Sequence, residues 1–412
     1  MALLLKNIAL LVGTHNTNEV LRGEAMASLP SIQNAYLLIE GAQIAAFGTM
    51  ETMPASYVTV SEQVDLNEQY VLPAWCDSHT HLVFPASRED EFVDKLRGKT
   101  YAEIAAKGGG ILNSARKLNE MSEDALFALA WSRLQEAMQQ GTGAMEIKSG
   151  YGLTVEGELK MLRVIRKLRE KSGMLIKASF LGAHAIPMEY RDDRAAYIRL
   201  LIEEMLPIIA AEKLADFIDV FCETGFFSPD EMETICKAAA AVGLPAKLHV
   251  NQLHSIGGLQ KAVSLNALSV DHLEVMTNDD IQTLAASATI GTLLPTAAYF
   301  LRLPYPPARN LLNAGAALAL ATDFNPGSSP GSNMQNVVSM ACIALCMLPE
   351  EAINAATING AFAMQTAQHT GSISVGKFAN LIISKPMPSL VYLPYAFSTP
   401  LVERVIHKGT FI

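Results

Sequence analysis

Eight short apolar runs, each followed by an amphipathic stretch, constrain this chain more than any other feature. They fall at 76–83, 143–148, 175–183, 217–222, 246–250, 268–272, 289–294 and 317–322. Between them apolar residues recur at helical spacing, as at Leu159, Leu162, Ile165 and Leu168 within 154–171, which marks a helix with one buried stripe. Thr154 is placed to cap that helix, Glu156 and Glu158 fall in its first turn, and Gly173 is placed to stop it. Alternating strands and helices build parallel sheets. Eight such units is the count of a closed (β/α)8 TIM barrel, with an open doubly wound α/β sheet as the alternative. The barrel is favoured because chemistry-bearing residues end several separate strands, and a barrel gathers those ends at one rim.

The two ends of the chain have another texture. Short apolar runs at 8–12, 35–39 and 43–47 alternate with Gly41 and Gly48, and runs at 376–383 and 402–407 repeat the pattern. Residues 1–65 and 371–412 are therefore expected to meet as a small composite β-sandwich domain, leaving 66–370 to the barrel. The apolar start, Met1 to Leu5, lacks a basic leader, is interrupted by Lys6 and precedes no small-residue cleavage site, so it reads as a first strand and not as a signal peptide. No run is long enough to suggest a membrane span.

Composition narrows the class further. Among 412 residues, 50% are apolar and 17% charged, the profile of a compact globular enzyme. With 41 acidic against 31 basic residues the net charge is −10, the wrong sign for nucleic acid or an anionic membrane. An anionic substrate must therefore meet local cations. The five cysteines, Cys76, Cys222, Cys236, Cys342 and Cys346, are scattered and odd in number, so reduced thiols in the cytoplasm are expected. Cys342 and Cys346 lie in an apolar helix-like run and read as packing residues.

The run Val71 to Asp77 ends in His79 and His81. Residues i and i+2 on an extended chain share a face, so both imidazoles can reach one cation. His184, His249, His272 and Asp323 also end or follow strands. A mononuclear hydrolytic site needs three or four N/O ligands and room for water, and His79, His81, His249 and Asp323 meet that need, with His184 and His272 nearby. Taken singly, each histidine is as well explained by a buried ring bonded to backbone, and Thr322-Asp323-Phe324-Asn325-Pro326-Gly327 by a turn leaving a strand. Lys148 and Lys177 lie on strands, but the fourth strand has no lysine to bridge two metals, so one ion is expected. Gly108-Gly109-Gly110 lacks a nucleotide-binding context.

These residues resemble the amidohydrolase superfamily and, within it, the imidazolonepropionase family. The narrower resemblance rests on Ser78-His79-Thr80-His81-Leu82-Val83-Phe84, Arg88, Glu91-Phe92, Gly98-Lys99-Thr100-Tyr101, Gly108 to Ile111, Glu146-Ile147-Lys148-Ser149-Gly150-Tyr151-Gly152-Leu153, Gly182-Ala183-His184 and Asp323 to Gly327. It implies a hydrolase acting on a C–N bond of a cyclic amide, which opens 4-imidazolone-5-propanoate to N-formimidoyl-L-glutamate in histidine degradation through a metal-activated water. Implied metal ligands are His79, His81, His249 and Asp323, for one zinc or iron ion per chain. Implied substrate contacts are Arg88, Tyr101, Tyr151, His184, Gln252, Asn325, Gly327 and Ser328. His272, Asp323 and His184 would carry the catalysis, and a homodimer is usual.

The chain departs from that family's pattern at Val250-Asn251-Gln252, where Ala-Asp before Gln or Glu is usual, at Ser328 in place of Thr, and at Ala74-Trp75-Cys76. Gln252 is no base, which leaves proton movement to Asp323 and His272. Two other classes stay open: a mononuclear-metal purine or pyrimidine aminohydrolase, and a catalytically silent metal- or ligand-binding relative.

Overall fold

The computed structural model describes residues 2–15, 19–99, 103 and 109–412. Eight parallel strands follow one another in chain order around a barrel: Trp75–Asp77, Thr142–Lys148, Leu175–Ala183, Phe217–Cys222, Lys247–Val250, Ser269–His272, Ile290–Leu293 and Ala317–Leu320. The intervening segments are largely helical and cover the outside, so nearly every strand residue is buried on either face, as parallel sheets require. The sequence placed the third and fourth strands with these same bounds. The helix Val155–Ser172 also starts and stops where its capping residues predict. Thr154 Oγ1 accepts from Gly157 N at 3.0 Å, and Gly173 ends the helix at φ +64°, a conformation that carries little cost without a Cβ.

The first strand differs from expectation. It was read as running through Val83, but regular pairing stops at Asp77. The strip beyond it is shared between two neighbours. Thr80 O accepts from Lys148 N at 2.9 Å, His79 O from Asp323 N at 3.0 Å, and His81 N donates to Phe324 O at 2.9 Å. These bonds, with the bridge between Thr80 and Phe324, close the barrel where the first and last strands meet. His79 and His81 are thus fixed by closure instead of by a ladder.

The barrel interior is unusual in content. Inward-pointing positions two apart along a strand carry Glu146 and Lys148, Lys247 and His249, and Ser269 and Asp271, with Asp219 and Ser179 between them, all buried. Branched aliphatic residues more often fill such layers. Charged groups here must satisfy one another, because isolated buried charges are costly.

The ends of the chain form a second, mixed eight-stranded sheet from Ala2–Val12, Ser31–Glu40, Gln43–Thr49, Glu62–Asp65, Tyr70–Pro73, Leu381–Ser384, Val402–His407 and Thr410–Phe411. Tyr70–Pro73 is the seam. It pairs parallel to Ala2–Val12 and antiparallel to Leu381–Ser384, and one residue later the chain enters the barrel. Leu5, Ile8, Leu37, Ile39, Val71, Leu381, Ile383 and Ile406 share this sheet's own core, each buried side chain contributing about 2 kcal/mol. No helix among the described residues is long and apolar enough to cross a membrane.

Candidate active site

The rim formed by the C-terminal strand ends gathers residues far apart in sequence. His79 Nε2 lies 3.4 Å and His81 Nε2 3.5 Å from Asp323 Oδ1, and His249 Nε2 lies 3.4 Å from His81 Nε2. Ligands about 2.1 Å from a shared tetrahedral ion stand about 3.4 Å apart, so these spacings suit one. His79 Nε2 is buried with no hydrogen-bonding partner among the described residues, as expected of a ligand atom whose partner is a cation. His79, His81 and His249 form one group spaced to hold an ion, and His79, His272 and Asp323 a second, the two sharing His79. Burial, reinforced by Lys148 or by neighbouring histidines, holds His79, His81 and His249 well below the usual imidazole range. Neutral rings are what a metal requires. Three imidazoles and a carboxylate suit zinc or iron equally.

Behind these rings stand groups the sequence reading did not single out. Asp271 Oδ2 lies 2.7 Å from His79 Nδ1 and Asp219 Oδ2 lies 2.9 Å from His249 Nδ1. A carboxylate on the remote nitrogen turns the other nitrogen toward the site. Their signal was faint: Asp271 adjoins His272, and Asp219 points inward from the fourth strand. Lys148 Nζ joins both aspartates, at 2.9 Å from Asp219 and 3.6 Å from Asp271, and Glu146 at 2.7 Å. Burial alone would lower the Lys148 pKa, but Asp219, Glu146 and Asp271 outweigh it and raise it.

Asp323 presents its two oxygens to different partners. Oδ1 faces His79 and His81, while Oδ2 accepts from Ser328 Oγ at 3.2 Å. Burial pushes this carboxyl up to about 7, in the range of a proton acceptor near neutrality. His272 Nδ1 lies 3.3 Å from Glu274 Oε1; burial opposes its protonation, but Glu274, Asp323 and Asp271 prevail and raise its pKa. His272 (φ +90°) and Asp323 (φ +51°) both adopt left-handed backbone conformations. Such strain costs about 1–3 kcal/mol per residue and is tolerated where surrounding structure imposes it.

A cavity of about 460 Å³ opens onto the cluster. Arg88, Tyr151, His184, Gln252, Asn325, Gly327 and Ser328 all line it, together with His81, His249, His272 and Asp323. Tyr101 lies outside the described residues. Arg88 forms no ion pair with the adjacent Glu89 or Asp90, the pairing its sequence neighbourhood would offer a surface arginine. Its Nε and one terminal nitrogen donate to Ser114 Oγ at 3.0 and 2.8 Å, and its guanidinium stands 5.8 Å from the centre of the Tyr151 ring. A Cβ on Gly327 would come within 2.7 Å of Arg88, so glycine leaves room for that side chain. Lys95, unremarked in the sequence, also lines the cavity.

Buried carboxylates and an amide hold the loops that carry these contacts. Glu158 accepts from Gly150, Gly152 and Leu153 N at 3.0, 2.7 and 2.9 Å, fixing Tyr151. Glu223 accepts from Leu253 and His254 N at 2.8 and 3.1 Å, fixing the turn after Gln252. Asn325 Oδ1 accepts from Gly327 and Ser328 N, both at 2.8 Å. Asp77 accepts from Thr322 N and Oγ1 at 3.0 and 2.7 Å, just before Asp323. His184 donates Nδ1–H to Gly150 O at 3.0 Å, which leaves Nε2 free to face the cavity, and burial lowers its pKa to about 4. The ring is neutral at pH 7.

Comparison with known proteins agrees with this geometry. The Amidohydrolase family model matches residues 70–411. An imidazolonepropionase of Flavobacterium johnsoniae is 54% identical over 413 residues, covering 100% of both chains. One of Christiangramia forsetii is 52% identical, again over 100% of both. Among solved structures, a triazine hydrolase variant superposes with a TM-score of 0.76 at 15% identity, covering 100% of this chain and 94% of the other; at that identity the likeness speaks for the fold alone.

Proposed function

The chain belongs to the amidohydrolase family, and from that premise we propose that it opens the ring of 4-imidazolone-5-propanoate to give N-formimidoyl-L-glutamate, a step of histidine degradation. It is a hydrolase acting on a C–N bond of a cyclic amide. One observation carries the assignment: the His/Asp cluster, a guanidinium and two ring-bearing side chains face a single cavity.

His79, His81, His249 and Asp323 would hold one zinc or iron ion per chain. Such an ion, when bound, makes water nucleophilic and polarises a carbonyl. The protein's own groups do the rest. Arg88 offers a planar fork to the propionate carboxylate, which an acidic protein attracts only locally. Tyr151 and His184 orient the ring, with Gln252, Asn325, Gly327 and Ser328 around it. Asp323 Oδ2 takes a proton from the attacking water and returns it to the leaving ring nitrogen, while Ser328 steadies that oxygen. His272 stabilises the oxyanion developing at the ring carbonyl. The barrel, which the chain enters at Trp75 and not at the expected 66, carries this chemistry, and the sheet built from the two chain ends acts as its scaffold in a homodimer. Five unpaired thiols suit the cytoplasm.

The test follows the ultraviolet absorbance of the imidazolone ring in metal-replete protein, with elemental analysis alongside. Loss of absorbance with formimidoylglutamate as product is expected. Unchanged absorbance with one metal bound per chain overturns the assignment, and ammonia release from a purine or pyrimidine base would replace it with an aminohydrolase.

A further inference from the structure

We propose that Lys148 is the positioning residue that presets the metal site, by clamping both aspartates that orient its histidines. The inference rests on the metal-dependent reading above. Lys148 is fully buried, and three carboxylates surround its Nζ: Glu146 at 2.7 Å, Asp219 at 2.9 Å and Asp271 at 3.6 Å. Asp271 continues to His79 by a hydrogen bond, Oδ2 to Nδ1 at 2.7 Å, and Asp219 holds His249 by accepting from its backbone N at Oδ1, 3.2 Å away, with Oδ2 2.9 Å from Nδ1 but not aligned for a hydrogen bond. One ammonium therefore sits at the root of two of the three imidazole arms. His79 and His249 come from the first and fifth strands, on different sides of the barrel, and Lys148 connects them without touching either.

The buried charge network in the barrel has a second lysine that makes the comparison possible. Lys247 is equally buried, but its Nζ meets Glu146 at 3.2 Å and Ser269 Oγ at 2.7 Å. Neither of those groups touches a metal-facing histidine. Ser269 Oγ donates to Asp271 Oδ1 at 2.6 Å, so Lys247 acts on Asp271 one bond further away and not on Asp219. Both lysines fill the core, but Lys148 stands beside both Asp219 and Asp271, while Lys247 reaches Asp271 alone, through Ser269.

Charge and positioning predict opposite signs. Removing a cation beside two carboxylates would, by charge alone, tighten the hold on a divalent ion. If Lys148 works by orientation, its loss frees Asp219 and Asp271 to turn and the imidazoles to change tautomer, weakening binding by about 10- to 100-fold, the usual effect of losing an outer-shell partner.

The experiment titrates zinc alone into the metal-free full-length chain against a chromophoric chelator, for wild type, Lys148→Met and Lys247→Met, with circular dichroism confirming the fold. Lys148→Met is expected to lose about 10- to 100-fold in zinc affinity and Lys247→Met at most a small fraction of that. Unchanged or tighter binding by Lys148→Met, or equal losses in both variants, overturns the role of Lys148. Wild-type protein that holds neither zinc nor, in a parallel titration, ferrous iron defeats the metal-dependent reading itself, a separable failure. Should Lys148→Met not fold, Lys148→Gln takes its place in the same titration: a comparable fall in zinc affinity is expected, and unchanged or tighter binding overturns the proposal.

Discussion

At the scale of single residues, each side chain near the cation site does one task and is held by a neighbour that does another. Asp323 divides its oxygens between the imidazoles and Ser328, so Asp323→Asn should lower turnover by about 10²–10⁴-fold, the range of a lost general base, while the cavity persists. Steady-state rates with product analysis check this; wild-type turnover in the variant contradicts it. Arg88 stands apart from the cluster, on Ser114 and over Tyr151. Removing a charge-assisted contact to a carboxylate costs about 1.5–3 kcal/mol. Arg88→Met should therefore raise KM by about 10- to 150-fold with a much smaller change in kcat. A fall in kcat with KM unchanged would place Arg88 elsewhere in the reaction. The histidines and Asp323 were legible in the sequence because each ends an apolar run. Asp219 and Asp271 were not, because a charged residue inside a strand pattern reads as solvent-facing until a barrel interior is known to receive it, and Lys148, which the sequence offers only as a possible metal bridge, takes its place behind the rings only once the barrel closes.

Elements were more legible than contacts. Strand Leu175–Ala183 and helix Val155–Ser172 are set by local chemistry: a short apolar run, a threonine cap, an αL glycine. Thr154→Ala should cost about 1 kcal/mol by orphaning the Gly157 N–H, and Gly173→Ala about as much by forcing a Cβ into φ +64°. The sites are far enough apart that the double variant should show the sum within about 0.5 kcal/mol. Denaturant unfolding of the three proteins measures this; a double variant no worse than either single one would show that the helix ends are coupled. The first strand was misjudged because apolar spacing continues through Val83 while pairing does not. Beyond Asp77 two different neighbours claim the chain, and one-dimensional periodicity carries no record of a second partner.

The whole molecule joins two sheets through one short strand. Tyr70–Pro73 lies between the N-terminal and C-terminal strands and runs on into the barrel, and Gly141 packs where a Cβ would meet Ile382 at 2.8 Å. A cation held at the rim by His79, His81, His249 and Asp323 would tie three strands together. At a thousandfold excess over its Kd it would add about 4 kcal/mol of stability. Stripping it with a chelator should lower Tm by about 5 °C for a chain of this length, reversibly on adding zinc; an unchanged Tm would mean the ion adds nothing to the fold. The order of the elements, the ends of helix Val155–Ser172 and the place of the histidines and Asp323 at strand ends follow from the sequence alone, because periodicity, capping and residue chemistry act over a few positions. Tertiary structure alone decided which carboxylate stands behind which ring and which lysine stands behind both. His79 and Asp271 are 192 residues apart, and only closure of the barrel, by bonds the local pattern does not encode, sets them at hydrogen-bonding distance.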